Sequence, residues 1–189
     1  MNRRGKPIVI SGPSGVGKTT ICSHILKDRA DIHYSISATS RAKRKGEKQG
    51  REYIFLSKRE FEEWIKREIF VEYAIVHGNL YGTPKKSLEE NLGKGYHVLL
   101  DIDVHGAKKL MQKYAGGIFI FIKPPGLPEL ARRLVKRNTD NKKDISNRLA
   151  MARQELKYKN DYEYVIENRD LGKTVKKILS IIEKETATG

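Results

Sequence analysis

Short apolar runs alternate along this chain with longer segments whose apolar residues recur at helical spacing. Residues 7–11 (P-I-V-I-S) are apolar and β-branched, as a parallel strand buried on both faces requires. Residues 19–28 follow as a helix with Ile21, Ile25 and Leu26 on one side. Residues 32–38 alternate as a second strand, and 53–56 make a short one. Ser57 reads as a helix N-cap with Glu60 three residues on, a capping box, ahead of a face built from Phe61, Trp64 and Ile65. Residues 70–76 predict a strand, 77–83 a turn returning to the core, and Pro84 a helix that carries Leu88 and Leu92 and stops at Gly93.

The second half repeats the alternation. A strand over 96–100 ends in Asp101-Ile102-Asp103, and a helix over 105–114 follows. The most hydrophobic strand, 118–122, is closed by Pro124-Pro125, and a helix runs over 127–136. Residues 138–143 are a polar break with the composition of a lid. Then come a helix over 145–158, a short strand at 164–166 closed by Glu167-Asn168, a helix over 171–184, and a frayed end at 186–189. Strands alternating with helices predict an α/β fold, a parallel sheet with helices on both faces. The β-rich section 37–83 interrupts that alternation, as a small subdomain inserted over the sheet's C-terminal edge, where such folds bind ligands.

With 189 residues, 38% hydrophobic and 32% charged, the chain has enough material for one well-filled core and a wet surface. No apolar run approaches the roughly 18 residues of a membrane helix, so no membrane partner is expected. The apolar stretch after Arg3-Arg4 ends within a handful of residues, too soon for a cleavable signal, and the cytoplasm is the default location. Cys22 is the one cysteine, which excludes a disulfide framework and a thiolate metal cluster. A net charge of +15 invites a nucleic-acid partner. However, the basic clusters at 41–51 and 132–148 have little aromatic interleaving, and they suit nucleotide phosphates at least as well. No nucleic-acid partner is expected, and oligomeric state is left open.

Chemistry concentrates at residues 12–19, G-P-S-G-V-G-K-T, which fit the phosphate-loop pattern at every fixed position. A chance glycine-rich turn would not come with a buried strand before it and a helix after it in register. Gly12, Gly15 and Gly17 allow successive backbone N–H groups to face phosphate oxygens, and the helix start adds its own. Lys18 brings an ammonium to the terminal phosphates, and the Thr19 hydroxyl is placed for Mg²⁺. A carboxylate at the end of the strand over 96–100 is where such a protein anchors that ion again.

Several stretches together resemble the guanylate kinase family: the loop itself, S-I-S-A-T-S-R-A-K-R, R-E-Y-I-F, V-E-Y-A, G-N-L-Y-G-T, L-D-I-D-V-H-G and K-R-N-T. Their order and spacing cover about residues 7–182. The loop alone is shared with many unrelated nucleotidases, whereas G-N-L-Y-G-T with L-D-I-D and S-x-S-x-T-x-R-x-x-R is far more specific. The resemblance implies a phosphate-loop NTPase core (1–36, 84–136 and 149–189), an inserted GMP-binding subdomain (37–83) and a helical lid (137–148). It implies Mg²⁺-dependent, reversible phosphoryl transfer from ATP to GMP. Gly12, Pro13, Ser14, Gly15, Val16, Gly17, Lys18, Thr19 and Thr20 would bind ATP, with Asn168 at its adenine. Ser37, Arg41, Arg44, Tyr53 and Tyr81 would grip the GMP phosphate. Glu72 and Thr83 would read guanine, with Asp103 a third reader. Asp101 would join Thr19 at Mg²⁺, and Lys18, Arg44, Arg137 and Arg148 would close on the transferring group.

Taken from composition alone, the stretch around Arg41–Arg44 is a solvated loop and Arg137 and Arg148 a solvated basic helix face. The resemblance is what gives them roles. Two departures stand out. Lys43 occupies the place of a rigidifying proline, which predicts a looser loop, and His105 replaces a frequent glutamine and is assigned no role. A rival from another class is a non-catalytic, guanylate-kinase-like module that binds phosphorylated peptides. Against it, Lys18, Thr19, Arg137 and Arg148 are all present.

Overall fold

In the computed structural model, which describes residues 4–76, 78–136 and 142–187, five parallel strands share one sheet. β1 (Pro7–Ser11) is central, between β7 (His97–Asp101) and β8 (Ile118–Lys123), with β2 (Ile32–Tyr34) and β9 (Tyr164–Glu167) at the edges. Alternate residues of the central strands feed two cores. Ile8, Ile10, Leu99, Ile118, Ile120 and Ile122 pack with Ile21 and Ile25 of α1 (Lys18–Asp28) and Val175, Ile178 and Ile182 of α7 (Leu171–Ala187). Val9, Val98, Leu100, Phe119 and Phe121 pack with Leu88 and Leu92 of α3 (Lys85–Gly93) and Ala107 and Leu110 of α4 (Val104–Lys113). Burying each such side chain contributes about 1.5–3 kcal/mol, which is why these strands read as unbroken apolar runs. α5 (Leu127–Lys136) and α6 (Lys142–Glu155) meet through Leu130, Leu134 and Ala152.

A second sheet of four short strands stands apart, in the order β4 (Ile54–Phe55), β3 (Ala38–Thr39), β6 (Asn79–Pro84), β5 (Phe70–Val76). Its own small core is Phe61 of α2 (Lys58–Lys66) stacked on Phe70 at 4.5 Å, with Ala38 buried and Trp64 and Ile65 packed against them. The capping box forms as its sequence requires: the Glu60 amide donates to Ser57 Oγ at 3.2 Å and the Ser57 amide to the Glu60 carboxylate at 2.7 Å. β5 carries an irregularity between Phe70 and Glu72. It sends Phe70 into the small core and its neighbour Val71 into the core of the main sheet, so one strand joins both layers.

Three expectations need correction. The segment expected as a turn over 77–83 is strand β6 from Asn79 on, with His77 outside the described residues. Its Gly and Asn content suggests a turn, but pairing with β3 on one side and β5 on the other overrides that propensity. The strand expected over 32–38 is two strands in different sheets, because the chain leaves β2 at Ser35 and re-pairs at Ala38. The expected fraying at 186–189 does not begin at Thr186, whose hydroxyl donates to Ile182 O at 2.7 Å inside α7. Of the polar break, residues 138–141 lie outside the described residues, as does Arg137. No helix among the described residues is long and apolar enough to cross a membrane.

Phe61 is wholly buried in a core of only a few side chains, so Phe61→Ala is expected to cost about 3 kcal/mol or more. Hydrogen exchange should then rise across residues 38–84 before it rises in β1, β7 and β8. A uniform rise would show that the two layers unfold as one.

Candidate active site

β1 delivers the phosphate loop at the C-terminal edge of the sheet, and α1 leaves it. Gly12 (φ 133°) passes so close to β8 that a Cβ would lie 2.1 Å from Ile122 O. Gly17 (φ 101°) caps α1 with no side-chain hydrogen bond closing the helix start, so its N–H groups are left to an incoming anion. Lys18 Nζ curls back onto the carbonyls of Gly12 (2.8 Å) and Pro13 (3.3 Å). Thr19 Oγ1 donates to Asp101 Oδ2 at 2.7 Å. That pair sets two hard oxygens at the loop's mouth. Among the described residues no three His, Cys, Asp or Glu cluster to form a protein-only cage. The donor set therefore fits a small hard cation completed by water and phosphate oxygens.

Asn168, expected at an adenine, lies buried beneath the loop. Its amide nitrogen donates to Val16 O at 2.8 Å and its oxygen accepts from Thr174 Oγ1 at 3.2 Å. Arg133 of α5 reinforces the same place, donating to Val16 O (3.3 Å) and Asn168 O (2.9 Å) while Glu129 holds its other edge. Sequence reasoning missed Arg133; the only hint was its i, i+4 partner Glu129 on an arginine-rich helix.

A cleft of about 790 Å³ runs from this loop to the second sheet. It brings together Gly12, Ser14, Gly15, Gly17, Lys18, Thr19, Asp101 and Asp103 from the core, Ser37, Arg41, Arg44, Tyr53, Glu72 and Tyr81 from the second layer, and Arg148 from α6. Pro13 and Val16 are buried behind the loop, Thr20 faces solvent, and Thr83 stands behind Glu72. Arg137 lies outside the described residues.

The basic loop between β3 and β4 is organised by a residue that sequence reasoning passed over. Glu47 takes Arg41 Nη2 at 2.8 Å on one oxygen and the Arg44 amide at 2.7 Å on the other. It thus braces the turn in which Lys43 stands in place of a stiffening proline. The Arg41 guanidinium lies 5.5 Å from the Tyr53 ring centre, and Tyr53 meets Tyr81 edge-on at 5.8 Å. Arg41 and the two phenols therefore share one wall of the cleft, with Arg44 exposed beside them.

Glu72 and Thr83 are directly opposed on β5 and β6, and both are buried. Thr83 Oγ1 donates to Glu72 Oε1 at 2.6 Å, which leaves Oε2 without that hydroxyl. Burial, with a smaller push from Asp103, raises the Glu72 carboxyl to about 7 against the lowering pull of the Thr83 hydrogen bond and of Lys109. Asp103 is the N-cap of α4, accepting from the Gly106 amide at 2.7 Å. Its carboxylate is thus partly used in the fold, whereas Asp101 meets Thr19. Glu155, at the end of α6, was also not singled out from sequence. It is buried in the cleft wall beside Ser14 and Lys18, and burial raises its pKa.

The guanylate kinase family model matches residues 4–185. A guanylate kinase of Clostridium tetani is 46% identical over 182 residues, 96% of this chain and 87% of the relative. One from Caldanaerobacter subterraneus is 44% identical over 185 residues, 98% of this chain and 90% of the relative. The crystal structure of guanylate kinase from Anaplasma phagocytophilum superimposes with a TM-score of 0.81 at 37% identity, covering 96% of this chain and 86% of that one.

A carboxyl whose pKa is higher folded than unfolded stabilises the native state fully below its unfolded value and loses that contribution as pH rises through the folded one. For Glu72 the window runs from about 4.5 to about 7. The ligand-free protein is therefore expected to lose stability relative to Glu72→Gln across that window, by up to about 3 kcal/mol. Urea midpoints of both proteins measured from pH 4 to 8 check this; parallel curves would show that Glu72 is not buried as a carboxyl.

Proposed function

The chain belongs to the guanylate kinase family, and from that premise we propose how its cleft carries the family reaction, transfer of a phosphoryl group from ATP to GMP to give ADP and GDP. The observation that carries the reading is a single cleft with a phosphate cradle at one end, a buried carboxylate–hydroxyl pair at the other, and basic side chains between. ATP enters with its phosphates on the loop. Residues 12–17 and the start of α1 supply N–H groups, and Lys18 exchanges its two carbonyl partners for phosphate oxygens. Asn168 and Arg133 hold the loop from beneath on the adenine side.

GMP enters from the second layer. Arg41, Arg44, Ser37, Tyr53 and Tyr81 take its phosphate, two guanidinium forks and three hydroxyls being suited to a dianion. Its base reaches Glu72 and Thr83, with Asp103 at the edge. Guanine presents two adjacent donors, N1–H and the 2-amino group, which one carboxylate accepts together; adenine presents a lone pair at N1 and nothing at C2.

Thr19 and Asp101 are the groups that would hold Mg²⁺, whose role when bound is to neutralise phosphate charge. The transfer needs neither a covalent intermediate nor a protein base, because the acceptor oxygen of GMP is already anionic. Its requirement is positioning and charge: the two phosphates must be brought in line, and the arginines must meet charge as it spreads over the transferring group. Arg148, on the cleft-facing side of α6, does this from the lid side, across the cleft from Arg44; Arg137, outside the described residues, is assigned the same task through the family resemblance alone. Closure excludes water as a competing acceptor. The reaction runs in both directions, since one phosphoanhydride is exchanged for another. A phosphopeptide-binding module has no use for Lys18, Thr19 and Asp101 assembled around the loop, so that alternative is not favoured.

Replacing Glu72 by Gln leaves one acceptor oxygen where there were two and removes the charge. The variant is expected to lose on the order of 10²-fold or more in kcat/KM for GMP and to narrow the GMP-over-AMP ratio. Coupled assays with both nucleotides, parent against variant, measure this; an unchanged ratio would place base reading elsewhere.

A further inference from the structure

Glu72 sits on β5, an outer strand of the second sheet; Thr83 of β6 meets it on one side, and β5 also packs against α4 of the main core. The two backbone carbonyls that flank it point at that helix. Val71 O accepts from Lys113 Nζ and Tyr73 O from Lys109 Nζ, each at 2.5 Å. The Lys109 ammonium also lies 4.6 Å from the centre of the Tyr73 ring. Between these anchors the helix backbone touches the carboxylate itself: a Cβ at Gly106 would lie 2.5 Å from Glu72 Oε2 and 3.0 Å from its Cδ. Gly106, Lys109 and Lys113 fall at i, i+3 and i+7, one face of α4. The same helix begins at Asp103, which lines the cleft beside Glu72.

We propose that this face of α4 is the positioning element for base recognition, with Lys109 and Lys113 fixing the main chain on either side of Glu72 and Gly106 fixing the plane of its carboxylate. The proposal rests on the reading of Glu72 as the base-contacting group. The physical need is plain. A carboxylate that must meet two adjacent donors has to be held in both position and plane, and an outer strand with one neighbour does neither. An open edge would let β5 twist or slide relative to the core. The irregularity between Phe70 and Glu72 removes a regular ladder at that very place. Two lysines that reach across to the carbonyls restore the missing constraint, and they do so from the rigid core sheet's own helix. The base end of GMP is thereby tied to the core, while the basic loop that takes its phosphate stays on the opposite side of the second sheet.

The competing explanation is that the lysines only cover an open strand edge against pairing with other chains. Kinetics separate the two. Lys109→Met and Lys113→Met keep the stems and remove the ammonium groups; each is expected to raise KM for GMP, and together they should raise it about tenfold or more, as an ångström-scale misplacement does. KM for ATP and the rate at saturating GMP should stay within about twofold of the parent, since the loop and the lid are untouched. Lys109→Arg and Lys113→Arg, which keep charge and donor, should restore most of the GMP affinity. Gly106→Ala provides an arm that leaves both lysines in place and should raise KM for GMP in the same selective way. A parent-like KM for GMP in the Met variants and in Gly106→Ala, whether or not thermal stability falls, overturns the proposal. Glu72→Gln is assayed alongside. If it loses the preference for GMP over AMP while the α4 variants keep parent kinetics, only the positioning role fails; if it keeps the preference, the reading of Glu72 fails and the proposal falls with it.

Discussion

Repulsion between two phosphate groups is the constraint around which this molecule is built. At about 4 Å and an effective dielectric constant near 20, each pair of unit charges costs on the order of 4 kcal/mol, and a triphosphate meeting a monophosphate brings several such pairs. A protein that joins them needs fixed positive charge and N–H dipoles on every side of the meeting point. It must also keep competing water out. The cleft supplies backbone N–H groups from the loop below, Lys18 beside them, Arg41 and Arg44 from the second layer, and Arg148 from above. The net charge of +15 agrees with this need without itself identifying the site.

The architecture divides that task between a rigid part and a part that must admit a second ligand. The phosphate loop is fixed by the most deeply buried strands in the chain, and by Asn168 and Arg133 beneath it. The second sheet has a much smaller core of its own, resting on Phe61 and Phe70. β5 spans the two, giving Phe70 to one core and Val71 to the other and presenting Glu72 to the cleft between them. Burying a carboxyl there is costly without a partner, and its pKa near 7 expresses that cost. In the proposed reading a ligand that offers two donors relieves that cost, so the burial itself favours the base that fits.

What could be read from the chain was whatever depends on neighbours in sequence. The loop, the Ser57–Glu60 capping box and the doubly apolar strands follow from local chemistry and matched their expected places. Glu72 and Thr83 became legible only through the family resemblance; eleven positions apart, they meet because β5 and β6 pair in a particular register. Asn79–Pro84 misled because Gly and Asn favour turns, and only the strands on either side of it explain its extended form. Glu47, Arg133, Glu155 and the lysines of α4 carry no motif at all. Their parts depend on what the fold brings opposite them: a guanidinium, a loop carbonyl, a backbone amide, the edge of a strand.

The central claim is that one cleft holds both nucleotides phosphate to phosphate. Its most direct test is binding of a single molecule with adenosine and guanosine joined through five phosphates. Such a ligand joins two binding events and should bind more tightly than GMP by about a hundredfold or more. In steady-state kinetics it should compete with both ATP and GMP. Competition with one substrate alone, or affinity no better than that of GMP, would contradict the account.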